Sequence, residues 1–127
     1  MSGDQIYVAP GGYHLRLDAA SGPVRFRLDD GPSRRGCRPA VDVTLIDAAA
    51  VWGAGVLAVV MTGMGKDGLA GCTAIHQAGG VVMAQDRDSS AVFGMPKAVI
   101  DANLVERVLP LGRIAPAINR HLRRHGG

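Results

Sequence analysis

After residue 40, segments that are apolar at every position alternate with segments whose apolar residues have helical spacing. Residues 57–61 and 81–84 are apolar at every position, which is typical of strands buried on both faces of a parallel sheet. Helical spacing follows the first of these strands, at Leu69, Cys72, Ile75 and Ala78. Similar spacing predicts helices at 41–51, about 96–102 and from 112 onward, with a third strand at 105–109. Strands that alternate with helices predict a parallel sheet with right-handed crossovers.

The first thirty residues follow a different pattern. Residues 13–18 and 24–29 alternate between polar and apolar side chains, which predicts an antiparallel hairpin with one face in water. Residues 6–9 form a short apolar run that ends at a proline and two glycines, which predicts a further strand. We therefore expect one domain, 1–127, with a hairpin part at 6–29 and an α/β part at 40–124.

Composition and charge narrow the class of protein. Of the 127 residues, 47% are hydrophobic and 20% are charged, as in a globular domain. The net charge of +3 owes much to arginines clustered at 34–38 and 120–124. Because no aromatic residues interleave with these arginines, they predict a solvated surface and no nucleic-acid partner. Cys37, Cys72 and the four histidines lack the spacing of a disulfide framework or a metal site, so no cofactor is expected.

The sequence also predicts where the protein is located. The longest apolar runs are too short to cross a bilayer, which predicts no membrane insertion. Residues 1–4 run directly into the first predicted strand with no leader pattern. We therefore expect a cytoplasmic protein.

A glycine-rich turn, residues 62–68, joins the strand at 57–61 to the helix that follows. Such turns lie at the carboxyl ends of parallel strands, where ligands and catalytic groups gather. The spacing G-x-G-x-x-G, with Asp86 ending the next strand, matches a dinucleotide site. Asp67 counts against that hypothesis, because its charge would stand where the pyrophosphate should bind. Two other roles for Asp67 stay open: it orients a catalytic histidine, or it only caps its helix.

Four segments together resemble the CheB-type protein-glutamate methylesterases of bacterial chemotaxis. They are IYVAPGGYHL at 6–15, RPAVDVTL at 38–45, MTGMGKDG at 61–68 and FGMPKAVI at 93–100. The resemblance spans nearly the whole chain, in order. It implies an α/β fold: a partial doubly wound parallel sheet with helices on both faces and an N-terminal antiparallel hairpin.

The resemblance also implies an activity and a site. Family members use a Ser-His-Asp triad to remove methyl esters from glutamates of methyl-accepting chemotaxis receptors, and they deamidate receptor glutamines. The triad aspartate of the family stands in the glycine loop, which places it at Asp67. Met64, with Gly63 and Gly65, would line the site near the oxyanion.

The chain departs from the family pattern at the other two triad positions. The motifs that carry the nucleophile and the base, Gly-Ala-Ser-Thr-Gly-Gly and Gln-His-Met, do not occur in it. None of its serines lies in such a turn (Ser2, Ser21, Ser33, Ser89 and Ser90), and His14 belongs to a hairpin strand, so it is not favoured as a replacement base. We therefore expect a segment of a methylesterase catalytic domain that is inactive alone.

Two alternatives remain, a binding or assembly module of the same fold and a dinucleotide-binding domain. The strands at 57–61 and 81–84 are apolar throughout, so an uncovered sheet edge beside them would promote self-association.

Overall fold

The computed structural model describes residues 5–19 and 22–124. Strands β1 (His14–Asp18) and β2 (Arg25–Asp29) come first, followed by helix α1 (Val41–Trp52) and a single 3₁₀ turn. The remaining elements alternate, in the order β3 (Leu57–Val60), α2 (Leu69–Gln77), β4 (Val81–Gln85), α3 (Gly94–Asp101), β5 (Arg107–Leu109) and α4 (Leu111–Arg124). The order and type of these elements confirm the sequence prediction, and their ends differ from it by a few residues.

The described residues form two separate sheets. In the first, β1 and β2 pair antiparallel, with His14 opposite Asp29. In the second, β3, β4 and β5 are parallel and lie in that order, with Leu57 beside Val81 and Met83 beside Arg107. Strand β4 is therefore central, and β3 has a strand on one side only within the described part of the chain.

Helices cover both faces of the parallel sheet, as expected. On one face the strands pack against α2 and α3 through a buried cluster of Ala58, Val60, Cys72, Ile75, Val82, Ala84 and Val99. On the other face Met83 and Leu109 pack against Ile114 and Ala117 of α4. Successive side chains of a strand point to opposite faces, so Val82 and Met83 enter different clusters.

Helix α1 connects the hairpin to the parallel sheet. Arg16 of β1 donates two hydrogen bonds to Asp47 of α1, with Nε 2.8 Å from Oδ2 and Nη2 3.0 Å from Oδ1. On its other side α1 packs closely on α2, where a Cβ atom on Gly71 would lie 2.5 Å from Cβ of Leu45. Glycine at position 71 therefore permits the close approach of the two helices.

The predicted strand at 6–9 is wrong. These residues have no regular structure, and the side chain of Ile6 is 93% exposed. The hairpin therefore begins at His14 and not at residue 6. An apolar run needs a neighbouring strand to take up its backbone groups, and none pairs with 6–9 in the described residues.

No helix in the described ranges has the length and apolar content needed to span a membrane.

Candidate functional site

Asp67 lies in the loop after β3, at the carboxyl end of the parallel sheet, and its carboxylate is held by backbone amides. Oδ2 accepts a hydrogen bond from the N–H of Val41 at 2.7 Å, and Oδ1 accepts one from the N–H of Asp42 at 2.9 Å. The residue is only 7% exposed. Both amides belong to the first turn of α1, where the positive end of the helix dipole favours a negative charge.

The capping hypothesis for Asp67 therefore named the wrong helix. The residue was expected to cap the helix that follows it, α2, but the N-cap of α2 is Gly68 and makes no side-chain cap. Asp67 instead caps α1, which precedes it by some 25 residues in sequence. The sequence pattern shows only local neighbours, so it could not reveal a cap that comes from a distant loop.

Asp42 makes the reciprocal contact. Its Oδ1 accepts hydrogen bonds from the N–H groups of Gly68 at 2.9 Å and Gly71 at 2.7 Å, at the start of α2. We call Asp42 and Asp67 the crossed aspartate pair. The carboxylate of Asp67 caps α1, the helix that contains Asp42, and the carboxylate of Asp42 caps α2, the helix that follows Asp67.

The crossed aspartate pair bears on the dinucleotide hypothesis. Amides at the start of α2 are the groups that would bind a pyrophosphate, and two of them already donate to Asp42. Asp86, the candidate ribose ligand, accepts from the N–H and Oγ of Ser89 at 3.0 and 2.6 Å. Two amides of the motif and one oxygen of Asp86 are therefore engaged by contacts within the chain.

The glycine loop is bound firmly to the segment before α3. The N–H of Gly63 donates to the carbonyl of Val92, and the carbonyl of Gly63 accepts from the N–H of Met95, both at 2.9 Å. A Cβ atom on Gly63 would clash with Sδ of Met95, so a larger residue there would force Met95 to move. Gly65 has a φ of +87°, and the side chain of Met64 is 83% exposed. The loop thus presents Met64 outward from a fixed backbone.

Gln85 is a structural residue of this edge that the sequence analysis missed. It ends β4 fully buried; its Oε1 accepts from the N–H of Thr62 at 2.8 Å, and its Nε2 donates to the carbonyl of Ser89 at 2.8 Å. The amide therefore links the loops after β3 and β4. The sequence signal that could have identified Gln85 is a polar residue at the end of an otherwise apolar strand.

Several of the described histidines, serines and cysteines are already engaged or unreactive, so they are not available to replace the missing triad members. Both ring nitrogens of buried His14 are engaged, Nδ1 by the N–H of Ala40 and Nε2 with the carbonyl of Pro32. The hydroxyls of Ser89 and Ser90 donate to Asp86. Burial, and then the charge of Asp42, raises the pKa of the Cys72 thiol to about 12, so it stays protonated near neutral pH. Ser2 and Ser21 lie outside the described residues.

Within 5–19 and 22–124, no three histidine, cysteine, aspartate or glutamate side chains are grouped so that they could hold a metal ion.

Comparisons with known proteins all match one family. The family model described as CheB methylesterase matches residues 1–118. A protein-glutamate methylesterase/protein-glutamine glutaminase of the group 2 operon of Rhodopseudomonas palustris is 50% identical over 115 residues, covering 91% of this chain and 29% of that protein. A protein-glutamate methylesterase/protein-glutamine glutaminase from a Nocardioides species is 49% identical over 119 residues, covering 94% of this chain and 32% of that protein.

A solved structure agrees. The crystal structure of the Thermotoga maritima CheB methylesterase catalytic domain superposes with a TM-score of 0.84 at 44% identity, covering 87% of this chain and 59% of that one. The chain thus spans about three tenths of the length of the curated relatives described above.

Proposed function

Because this chain belongs to the CheB methylesterase family, we propose that it supplies the aspartate of a Ser-His-Asp triad that hydrolyses glutamate methyl esters. The observation that carries the proposal is the carboxylate of Asp67, held at the carboxyl end of a parallel sheet by two backbone amides. A triad aspartate must be fixed and charged, because it holds the histidine in one tautomer and stabilises the imidazolium.

The expected reaction defines what Asp67 would do. A serine hydroxyl attacks the ester carbonyl while the histidine takes its proton; the tetrahedral intermediate then expels methanol, and water hydrolyses the acyl-enzyme. Asp67 would hydrogen-bond to the histidine ring nitrogen that faces away from the serine. Deamidation of glutamine follows the same steps with ammonia as the leaving group.

The remaining parts of the site must come from residues outside this sequence. Neither the serine motif nor the histidine motif occurs in the 127 residues, and the relatives are about three times longer than the matched segment. Strand β3 has an unpaired side within the described residues, and Met64 is exposed beside Asp67. We propose that the serine- and histidine-bearing strands add at β3, with Met64, Gly63 and Gly65 lining the completed site.

The proposal extends to partners and location. Through the family resemblance, the substrates would be methylated glutamates of chemotaxis receptors, and the protein would act in the cytoplasm. No cofactor enters the proposed reaction, because the triad and the oxyanion site supply all of its chemistry.

The test compares this chain with a hybrid enzyme, defined as the Rhodopseudomonas palustris relative with its matching segment replaced by this chain. The chain alone should release no methanol from methylated receptors, because removing serine and histidine lowers kcat by about 10⁶. The hybrid enzyme should release methanol. A hybrid that folds but is inactive would contradict the proposal, as would activity of the chain alone that Asp67→Ala abolishes.

A further inference from the structure

We propose that Asp42 is a positioning residue for Asp67, an inference that rests on the proposed function. Asp42 contacts the Asp67 region at two points. Its N–H donates to Oδ1 of Asp67 at 2.9 Å, and its own Oδ1 accepts from the N–H of Gly68, the residue directly after Asp67, at 2.9 Å. Asp42 therefore fixes both the carboxylate of Asp67 and the backbone that carries it.

The burial of Asp42 suggests a role beyond that of a helix cap. The residue is 0% exposed, and its Oδ2 has no hydrogen-bond partner in the described part of the chain. The nearest opposite charge is the Nε of half-exposed Arg35, at 3.8 Å. A cap on α2 does not require a charge, and burying a carboxylate whose second oxygen has only this distant ion pair costs free energy.

The surrounding packing makes the contact between the two aspartates rigid. A Cβ atom on Gly71 would lie 2.5 Å from Cβ of Leu45 and 3.3 Å from Cα of Asp42, so α1 and α2 meet backbone to backbone. Across this contact Oδ1 of Asp42 accepts from the N–H groups of both Gly68 and Gly71. A loss of these bonds would free the Gly68 peptide, and Asp67 would move with it.

We expect a movement of Asp67 to lower kcat more strongly than it weakens substrate binding. A displaced Asp67 misorients the histidine in the transition state, whereas the enzyme surface that binds the receptor is unchanged. In the hybrid enzyme, Asp42→Ala should therefore lower kcat per folded molecule by about 10- to 100-fold with KM unchanged. Asp42→Asn keeps an oxygen in the place of Oδ1, and it should restore most of the lost activity.

Asp47→Ala is the matched control, because it removes a carboxylate from the same helix that also binds a backbone amide, that of Leu17. It should lower stability but leave kcat per folded molecule as it was. If Asp42→Ala does not fold, Asp42→Ser replaces it, because its hydroxyl is too short to hold both amides, and the same loss of kcat is expected.

A second measurement is independent of activity. Hydrogen exchange in the hybrid enzyme should become faster at the N–H of Val41 in Asp42→Ala, although this amide is bonded to Asp67 and not to Asp42. Asp47→Ala should leave that amide protected. Unchanged kcat and unchanged exchange at Val41 in Asp42→Ala would overturn the inference.

The failure of this inference can be told apart from failure of the proposed function. If Asp67→Asn is inactive while Asp42→Ala is fully active, only the positioning role is overturned. If Asp67→Asn is itself fully active, the proposed triad is overturned, and the positioning role with it.

Discussion

Strands β3 and β4 are neighbours in one sheet, and each is followed by a loop that carries an aspartate, yet the two loops are held differently. Besides the contacts that the two loops share, the loop after β4 is held within itself and by α4: Asp86 binds Ser89, whose hydroxyl accepts from the N–H of Leu111. The loop after β3 depends on distant elements, because Asp67 binds the amides of α1.

The strands differ in the same way. Strand β4 has a strand on each side, whereas β3 has one on a single side among the described residues. Met64 after β3 is largely exposed, while Gln85 at the end of β4 is fully buried and hydrogen-bonded. We infer that the β3 side of the edge is where further family elements would join.

The largest expected effect is a difference in kcat between substitutions at Asp67 and at Asp86. In the hybrid enzyme, Asp67→Asn should keep the fold but lower kcat by about 10⁴, because the amide holds the histidine in the wrong tautomer. Asp86→Asn is the matched control: it retains an oxygen that accepts from Ser89, and it should leave kcat unchanged. Initial rates of methanol release, corrected for folded protein, decide the matter. Equal effects of the two substitutions would remove the distinction between the loops.

The second prediction concerns the open side of β3. Its four residues are all apolar, whereas β5, which also has a strand on one side only among the described residues, begins with a charged Arg107. Unpaired apolar edges associate, and charged residues suppress such pairing. The isolated chain should therefore self-associate at concentrations on the order of micromolar, within the range of weak protein interfaces.

Sedimentation measures this association directly. Val59→Lys in β3 should reduce it, and Val108→Lys in β5 should not; circular dichroism checks that each variant remains folded. A compact monomer that melts cooperatively would contradict the prediction. It would favour the alternative that the chain is a binding or assembly module of the same fold.

A third prediction tests the contact on which the loop after β3 depends. Gly71→Ala should destabilise the chain by about 1–3 kcal/mol, because the new methyl group meets Leu45 and the backbone of Asp42. Gly112→Ala in α4 is the control: a Cβ atom there meets nothing within 4 Å, so alanine should stabilise the helix by about 0.5–1 kcal/mol. Urea unfolding measures both. A Gly71→Ala variant as stable as the unsubstituted chain would show that α1 and α2 adjust easily.

Sequence patterns predicted the elements well because each depends on residues close in the chain. The apolar runs at β3 and β4 and the spacing in α2 were sufficient for the parallel sheet. The strand predicted at 6–9 failed because a strand also needs a partner, which local composition does not reveal. The crossed aspartate pair escaped prediction for a related reason: Asp42 and Asp67 are 25 residues apart, and a local pattern relates each carboxylate only to its own helix.

The smallest expected effect concerns the attachment of α1 to the hairpin, which lies on the β3 side of the comparison. Burial works to raise the pKa of Asp47, but the hydrogen bonds from Arg16 and the N–H of Leu17 outweigh it and hold the pKa below its usual range. A carboxyl whose pKa is lower in the folded chain stabilises the fold above its unfolded pKa, about 3.9. That stability is lost as the pH falls through the folded pKa.

Asp47→Asn should therefore destabilise the chain by about 1 kcal/mol at pH 7, a value reduced because Arg16 is partly exposed and screened. The difference from the unsubstituted chain should shrink as the pH falls below about 4. Asp101→Asn, which removes an exposed ion pair with Lys97 in α3, is the control and should cost less than about 0.5 kcal/mol. Urea unfolding at several pH values measures both. A difference for Asp47→Asn that stays constant with pH would show that the side chain acts through packing, and that its charge does not hold α1 against the hairpin.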